Sequence, residues 1–156
     1  MLENCKSAKE RWGGVSEIID RWLQNRQNML VCYCELSGLQ ESEPDDSVPT
    51  DAKLRRLCQI MVDYISAGHF EIYDQLIKEG QEFEDQAALE QAGSLYKAID
   101  QTTEVMLDLN DKYQETDDLT TLANDLSGLG EVLESRFEAE DRMISVLHTA
   151  HKDLVA

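Results

Sequence analysis

Proline is nearly absent from this chain. Its 156 residues include two, Pro44 and Pro49, and both fall in one acidic stretch, residues 40–51. Proline breaks helices, so the rest of the chain is free to be helix or short turn. Basic residues are scarce as well: 14 Lys and Arg stand against 32 Asp and Glu, a formal net charge of −18. That excess argues against direct binding to nucleic acid or to an anionic membrane, since both are polyanions. It suits a basic protein partner, although acidity by itself shows only solubility and steering. No apolar run approaches the roughly 18 residues that a membrane span needs. The N-terminus, Met-Leu-Glu-Asn-Cys-Lys, lacks the basic-then-apolar pattern of a signal sequence, so a cytoplasmic location is expected.

Catalytic patterns are missing too. There is no Gly-rich phosphate loop, no Gly-x-Ser-x-Gly elbow and no Walker motif. Nothing marks a nucleophile with a base oriented by a third group. The reading is a protein that is not an enzyme and needs no cofactor. Cys5, Cys32, Cys34 and Cys58 make no zinc pattern. Cys32 and Cys34 are two apart on a helix and point to nearly opposite sides. Cytoplasmic thiols stay reduced, so most of the four read as buried and free.

What is present is helical periodicity. Residues about 3–12 suggest a short first helix, ended by Gly13 and Gly14. Val15, Ile18, Ile19, Trp22, Met29, Tyr33 and Leu36 then repeat on one face, with Gly38 as the stop. Residues 40–51 are a loop by composition, and Thr50 or Asp51 can cap the next helix. That helix carries Leu54, Leu57, Met61, Ile65, Ile72 and Leu76 on its core face and runs to about Lys78. Residues 80–85 form a turn. A third helix over residues 86–113 turns Ala88, Ala92, Leu95, Tyr96, Ile99, Met106 and Tyr113 inward. A fourth starts at Asp117 or Asp118, with Leu119, Leu122, Leu126, Leu129, Leu133, Phe137, Ile144 and Leu147 as its stripe. The expected fold is all-α: an antiparallel bundle of four long helices plus the short N-terminal one, in a single domain over residues 1–156.

Two sets of residues break the amphipathic pattern. On the second long helix, Asp63, Ser66, Phe70 and Ile77 lie opposite the core stripe, with Tyr73 beside them. Such a mixture is unusual for solvent; the face is wrapped by the protein itself or meets a partner. Inside the bundle, Arg26, His69 and Glu140 point toward the core, His148 and His151 lie on or beside the last stripe, and Gly68 sits near the centre of its own. A buried charge needs a partner. One reading is an internal network in which Arg26 pairs with Glu140 and His69 bonds nearby, fixing helix register. The other is a metal site of the hemerythrin-like or di-iron kind. Those sites need several inward Glu and His residues, commonly as Glu-x-x-His. This chain has three histidines and no such motif, so no metal is expected.

Several of these residues carry a resemblance. Trp12-Gly13-Gly14, Ile19-Asp20-Arg21-Trp22-Leu23, Asp63-Tyr64-x-Ser66-Ala67-Gly68-His69-Phe70 and Arg136-Phe137-Glu138-x-Glu140-Asp141 resemble the Rsd/AlgQ family of bacterial anti-sigma factors over essentially the whole chain. Leu147-His148-x-Ala150-His151-Lys152-Asp153 resembles its pseudomonad branch, which is tied to control of alginate and other secreted products. The resemblance implies a cytoplasmic regulator that binds region 4 of the primary, sigma-70 type sigma factor and blocks its use by promoter DNA and core RNA polymerase. Within that reading Asp63 pairs with a sigma arginine or lysine, Phe70 and Tyr73 supply buried area, and Ser66 supplies a hydrogen bond. Asp20 and Leu23 extend the surface. Trp22 is core, and Tyr64 and His69 support the site. Weak self-association through the same face is an open expectation, as is a helical bundle serving another signalling partner.

Overall fold

The computed structural model describes residues 8–38 and 49–155. Among them every regular element is helical. Helix α1 spans Ala8–Ser37. Helix α2 (Thr50–Ala67), a π-helical turn (Gly68–Ile72) and helix α3 (Tyr73–Glu82) follow without a break and form the second rod. Helices α4 (Gln86–Glu115) and α5 (Leu122–Leu147) are the third and fourth, and a 3-10 turn, Thr149–Leu154, comes after them. The fold is an all-α bundle of four long rods. Tyr113 on α4 meets Asp125 near the start of α5, and Thr102 meets Arg136 further along, so these two run antiparallel.

The apolar stripes converge on one core. Trp22, Met29, Leu57, Met61, Ile72, Leu76, Ile99, Met106, Leu129 and Leu133 are all at least 98% buried. Leu36, Leu95, Tyr96, Tyr113, Leu119, Phe137 and Ile144 pack around it, partly exposed. Cys32 and Cys58 are buried free thiols and Cys34 is half-buried; Cys5 lies outside the described residues.

Several boundaries differ from the sequence reading. Helix α1 runs straight through Gly13 and Gly14, so no short helix ends there. Glycine in a helix costs about 1 kcal/mol, but packing on both sides of the pair outweighs it. Trp12 stacks on His148, and Val15 is 97% buried. The part of the proposed first helix before residue 8, and most of the acidic loop, lie outside the described residues. At its other end α1 stops where Gly38 takes φ 74°, the left-handed conformation that glycine adopts freely.

Thr50 and Asp51 do not cap α2; they are its first two residues. Extended Pro49 precedes them, and no side chain caps the end. The second rod passes through Gly80 to Glu82, so the turn is tighter than residues 80–85. Asp85 then caps α4 by accepting from Ala88 N at 3.1 Å. Helix α5 begins at Leu122 rather than at Asp117 or Asp118. Asp118 instead braces a turn, its Oδ1 accepting from Thr120 N at 3.0 Å.

Candidate functional site: the outer face of the second rod

Residues 63, 66 and 70 are spaced three and four apart, so they share one side of the rod. All three are exposed. Phe70 is the extreme case, 81% exposed. Asp63 accepts from Gln59 Nε2 at 3.1 Å. On the α1 side of the rod, Arg21, Gln24 and Asn25 face Ala67 and Glu71 across a groove of about 410 Å³ floored by Ile18, Trp22 and Ile72. Asp20 is exposed and Leu23 is half-buried against the core; neither lines this groove.

Tyr73 does not belong to that surface. It is 98% buried and points into the bundle. The reason is the π-turn. Its wider turn holds about one extra residue, which rotates everything after it by about 100° relative to a uniform α-helix. Tyr73 is thereby carried from the outer side to the core. His69, at the start of the π-turn, lies outside the core. It was expected in the internal network but is exposed, with its ring edge-on to Phe70 at 5.6 Å and its nitrogens 3.1 Å from Tyr96 Oη.

The internal network is built around Glu140, which is 99% buried. Its Oε1 accepts from Tyr64 Oη at 2.5 Å and from Arg26 Nη2 at 3.4 Å. Its Oε2 accepts from Tyr73 Oη at 2.5 Å and from Arg136 Nε at 3.2 Å. Two bonds on each oxygen match the capacity of a carboxylate. Arg136, also 99% buried, extends its fork to Thr102 and Thr103 at 2.9 and 2.8 Å and gives Nη2 to Tyr73 Oη at 3.1 Å. Arg26 closes the outer end, donating to Tyr64 Oη at 3.1 Å and to exposed Asp141 at 2.6 Å. Its guanidinium stands over Phe137 at 4.5 Å. Burial pushes the Glu140 carboxyl up from its ordinary range, and Arg136, the two hydroxyls and Arg26 pull it back. Burial, then the neighbouring Glu140, pushes both tyrosines far up, so they stay protonated as donors.

Sequence reasoning paired Arg26 with Glu140 but missed Arg136, Tyr64 and Tyr73 as members of the network. The available signal was Arg136 four residues before Glu140 on one helix face.

A second polar cluster holds the chain end. His148 Nδ1 lies 2.7 Å from Glu79 Oε2, and its Nε2 lies 2.7 Å from Ser16 Oγ. His151 Nε2 lies 2.8 Å from Asp85 Oδ2. The order Ser16–His148–Glu79 matches that of a catalytic relay. Ser16, however, sits mid-helix, where backbone N–H groups are spent on the helix and none is free to hold an oxyanion. The cluster ties the end of α5 to α1 and α3. Among the described residues no group of three or more His, Cys, Asp or Glu is arranged to hold a metal ion.

Residues 1–148 match the family model "Regulator of RNA polymerase sigma(70) subunit, Rsd/AlgQ". The chain belongs to the Rsd/AlgQ family. Similar relatives carry the name "Regulator of sigma D". One from Yersinia pseudotuberculosis (serotype O:1b, strain IP 31758) is 35% identical, covering 92% of this chain and 87% of its own. One from Salmonella paratyphi B is 32% identical over 98% and 95%. Rsd/AlgQ proteins are regulators of the RNA polymerase sigma(70) subunit, not enzymes. Among the described residues of this member, no helix is long and apolar enough to cross a membrane.

Proposed function

We propose that this protein is an anti-sigma factor that captures region 4 of the primary sigma factor on the outer face of α2 and the π-turn. Region 4 carries a helix-turn-helix whose basic side chains meet phosphates and base edges. An acidic bundle laid over that surface denies it to promoter DNA and to core polymerase, and it does so in the cytoplasm, where the polymerase works. No bond is made or broken. The observation that carries the reading is Phe70, a ring 81% exposed on the side of the rod shared by Asp63 and Ser66. Binding interfaces concentrate their energy in such aromatic anchors, ringed by polar groups. Burying one phenyl ring contributes about 1.5–3 kcal/mol. In this reading Asp63, exposed, pairs with a sigma cation, and Ser66, exposed on the same side, hydrogen-bonds beside it. Asp20 extends the acidic surface, and Leu23 offers its exposed edge.

Capture of a purified region 4 fragment tests this. Asp63→Arg is expected to abolish capture while leaving helicity and melting temperature unchanged, because Asp63 is exposed and bonds only to Gln59. Undiminished capture by Asp63→Arg would show that the partner docks elsewhere.

A further inference from the structure

The second rod holds a spacing that an α-helix cannot sustain. Gly68, Ile72, Leu76 and Gly80 are four residues apart, and all are buried. In an α-helix each four-residue step drifts by about 40°, so three steps drift by about 120°. The π-turn takes back about 100° of that in one place. One side of the rod therefore stays on the core, and the slack appears outside: His69, Phe70 and Glu71 are all exposed.

Two features of the surroundings fit this turn. Tyr73 N–H reaches back five residues to Gly68 O, and Tyr73 Oη donates to Glu140 Oε2 at 2.5 Å while accepting from Arg136 Nη2 at 3.1 Å. A Cβ placed on Gly68 would lie 3.0 Å from Tyr73 Oη and 3.1 Å from Trp22 Cζ2, so a side chain there would push Tyr73 or Trp22 aside by a few tenths of an ångström. If the turn relaxed to an α-helix, Tyr73 would swing away from the core and leave a buried carboxylate one donor short, which is strongly opposed. π-turns are rare and concentrate at functional sites; this one is over-determined by the buried network beneath it.

We infer that Tyr73 and Gly68 are positioning residues for sigma capture: the Tyr73–Glu140 bond locks the π-turn, and the locked turn presents Phe70 to the partner. This rests on Phe70 being a sigma contact, as proposed above. A double-mutant cycle with Phe70→Ala and Tyr73→Phe tests it, with affinity for the region 4 fragment read by calorimetry. Amide hydrogen exchange over residues 69–73 is followed in the free protein.

Phe70→Ala is expected to weaken binding about tenfold or more, and Tyr73→Phe about fivefold to tenfold with faster exchange in the turn. Tyr73→Phe should cost nothing further once Phe70 is alanine. A generally loosened bundle would instead cost the same in both backgrounds, and that result overturns the inference. If Phe70→Ala weakens binding and Tyr73→Phe does not, the positioning role fails while the contact stands. If Phe70→Ala has no effect, the contact itself is wrong and the inference falls with it. Should Tyr73→Phe not fold, Gly68→Ala takes its place in the cycle, with the same outcomes.

Discussion

The residue that most changes the picture is Arg136. A fully buried guanidinium is costly unless every donor is used. Here it meets Glu140, Thr102, Thr103, Tyr73 and the Ile99 carbonyl, drawing α3, α4 and α5 onto one charge. Replacing it removes one member of a buried pair and leaves Glu140 under-partnered. Arg136→Met is expected to lower stability by about 3–5 kcal/mol, read as a shifted urea midpoint, although the thioether fills much of the same volume. Asp85 shows the opposite electrostatic sign. The His151 hydrogen bond, then the Ala88 backbone N–H, hold its carboxyl below the ordinary aspartate range. Its contribution to stability is therefore present above the ordinary aspartate value and is lost as the pH falls through the lowered one. A carbon-detected titration should find the Asp85 midpoint low in the native chain and raised in His151→Gln.

At the scale of the helical element, glycine separates packing from propensity. Gly93 and Gly128 sit inside helices with nothing within 4 Å of an added Cβ. Alanine at either position should stabilise the fold by about 0.5–1 kcal/mol. Gly130 is on the same helix as Gly128, yet a Cβ there would lie 2.5 Å from Tyr33 Oη, which is itself held by the Leu126 carbonyl at 2.7 Å. Gly130→Ala should destabilise by about 1–3 kcal/mol. Thermal melts of Gly128→Ala and Gly130→Ala should move in opposite directions; a shared direction would mean that Tyr33 yields freely. The same contrast bears on what could be read beforehand. The stripes on α1, α4 and α5 were legible because a uniform helical wheel describes them. Beyond Gly68 the uniform wheel misplaces Tyr73, because rotation per residue is not constant through a π-turn; His69, at the start of that turn, stands on the border of the core stripe and falls on its solvent side. The run of four-residue steps from Gly68 to Gly80 was the visible trace of it. Arg136 was passed over for another reason: charge normally marks an outer face, and only the partners on α3 and α4 show why it can be inside.

For the whole molecule the governing quantity is the charge of −18, which is fully readable in the sequence and says nothing about the fold. Several of its carboxylates are spent internally, on Arg26, Arg136, Lys112 and the two C-terminal histidines. Among the described residues Asp63 and Asp20, on the proposed face, are exposed and form no ion pair. Their field reaches a basic partner before contact, so it acts on the rate of encounter more than on the lifetime of the complex. At physiological ionic strength that reach is about 8 Å, and it shrinks to about 3 Å at 1 M salt. Phe70, once buried, is indifferent to screening. The two contributions should therefore separate in stopped-flow kinetics with a region 4 fragment. The association rate is expected to fall about tenfold or more from low to high salt, while the dissociation rate changes little. Phe70→Ala should do the reverse, speeding dissociation and leaving the salt dependence of association as it was. An association rate that ignores salt would reduce the acidity of this bundle to a matter of solubility.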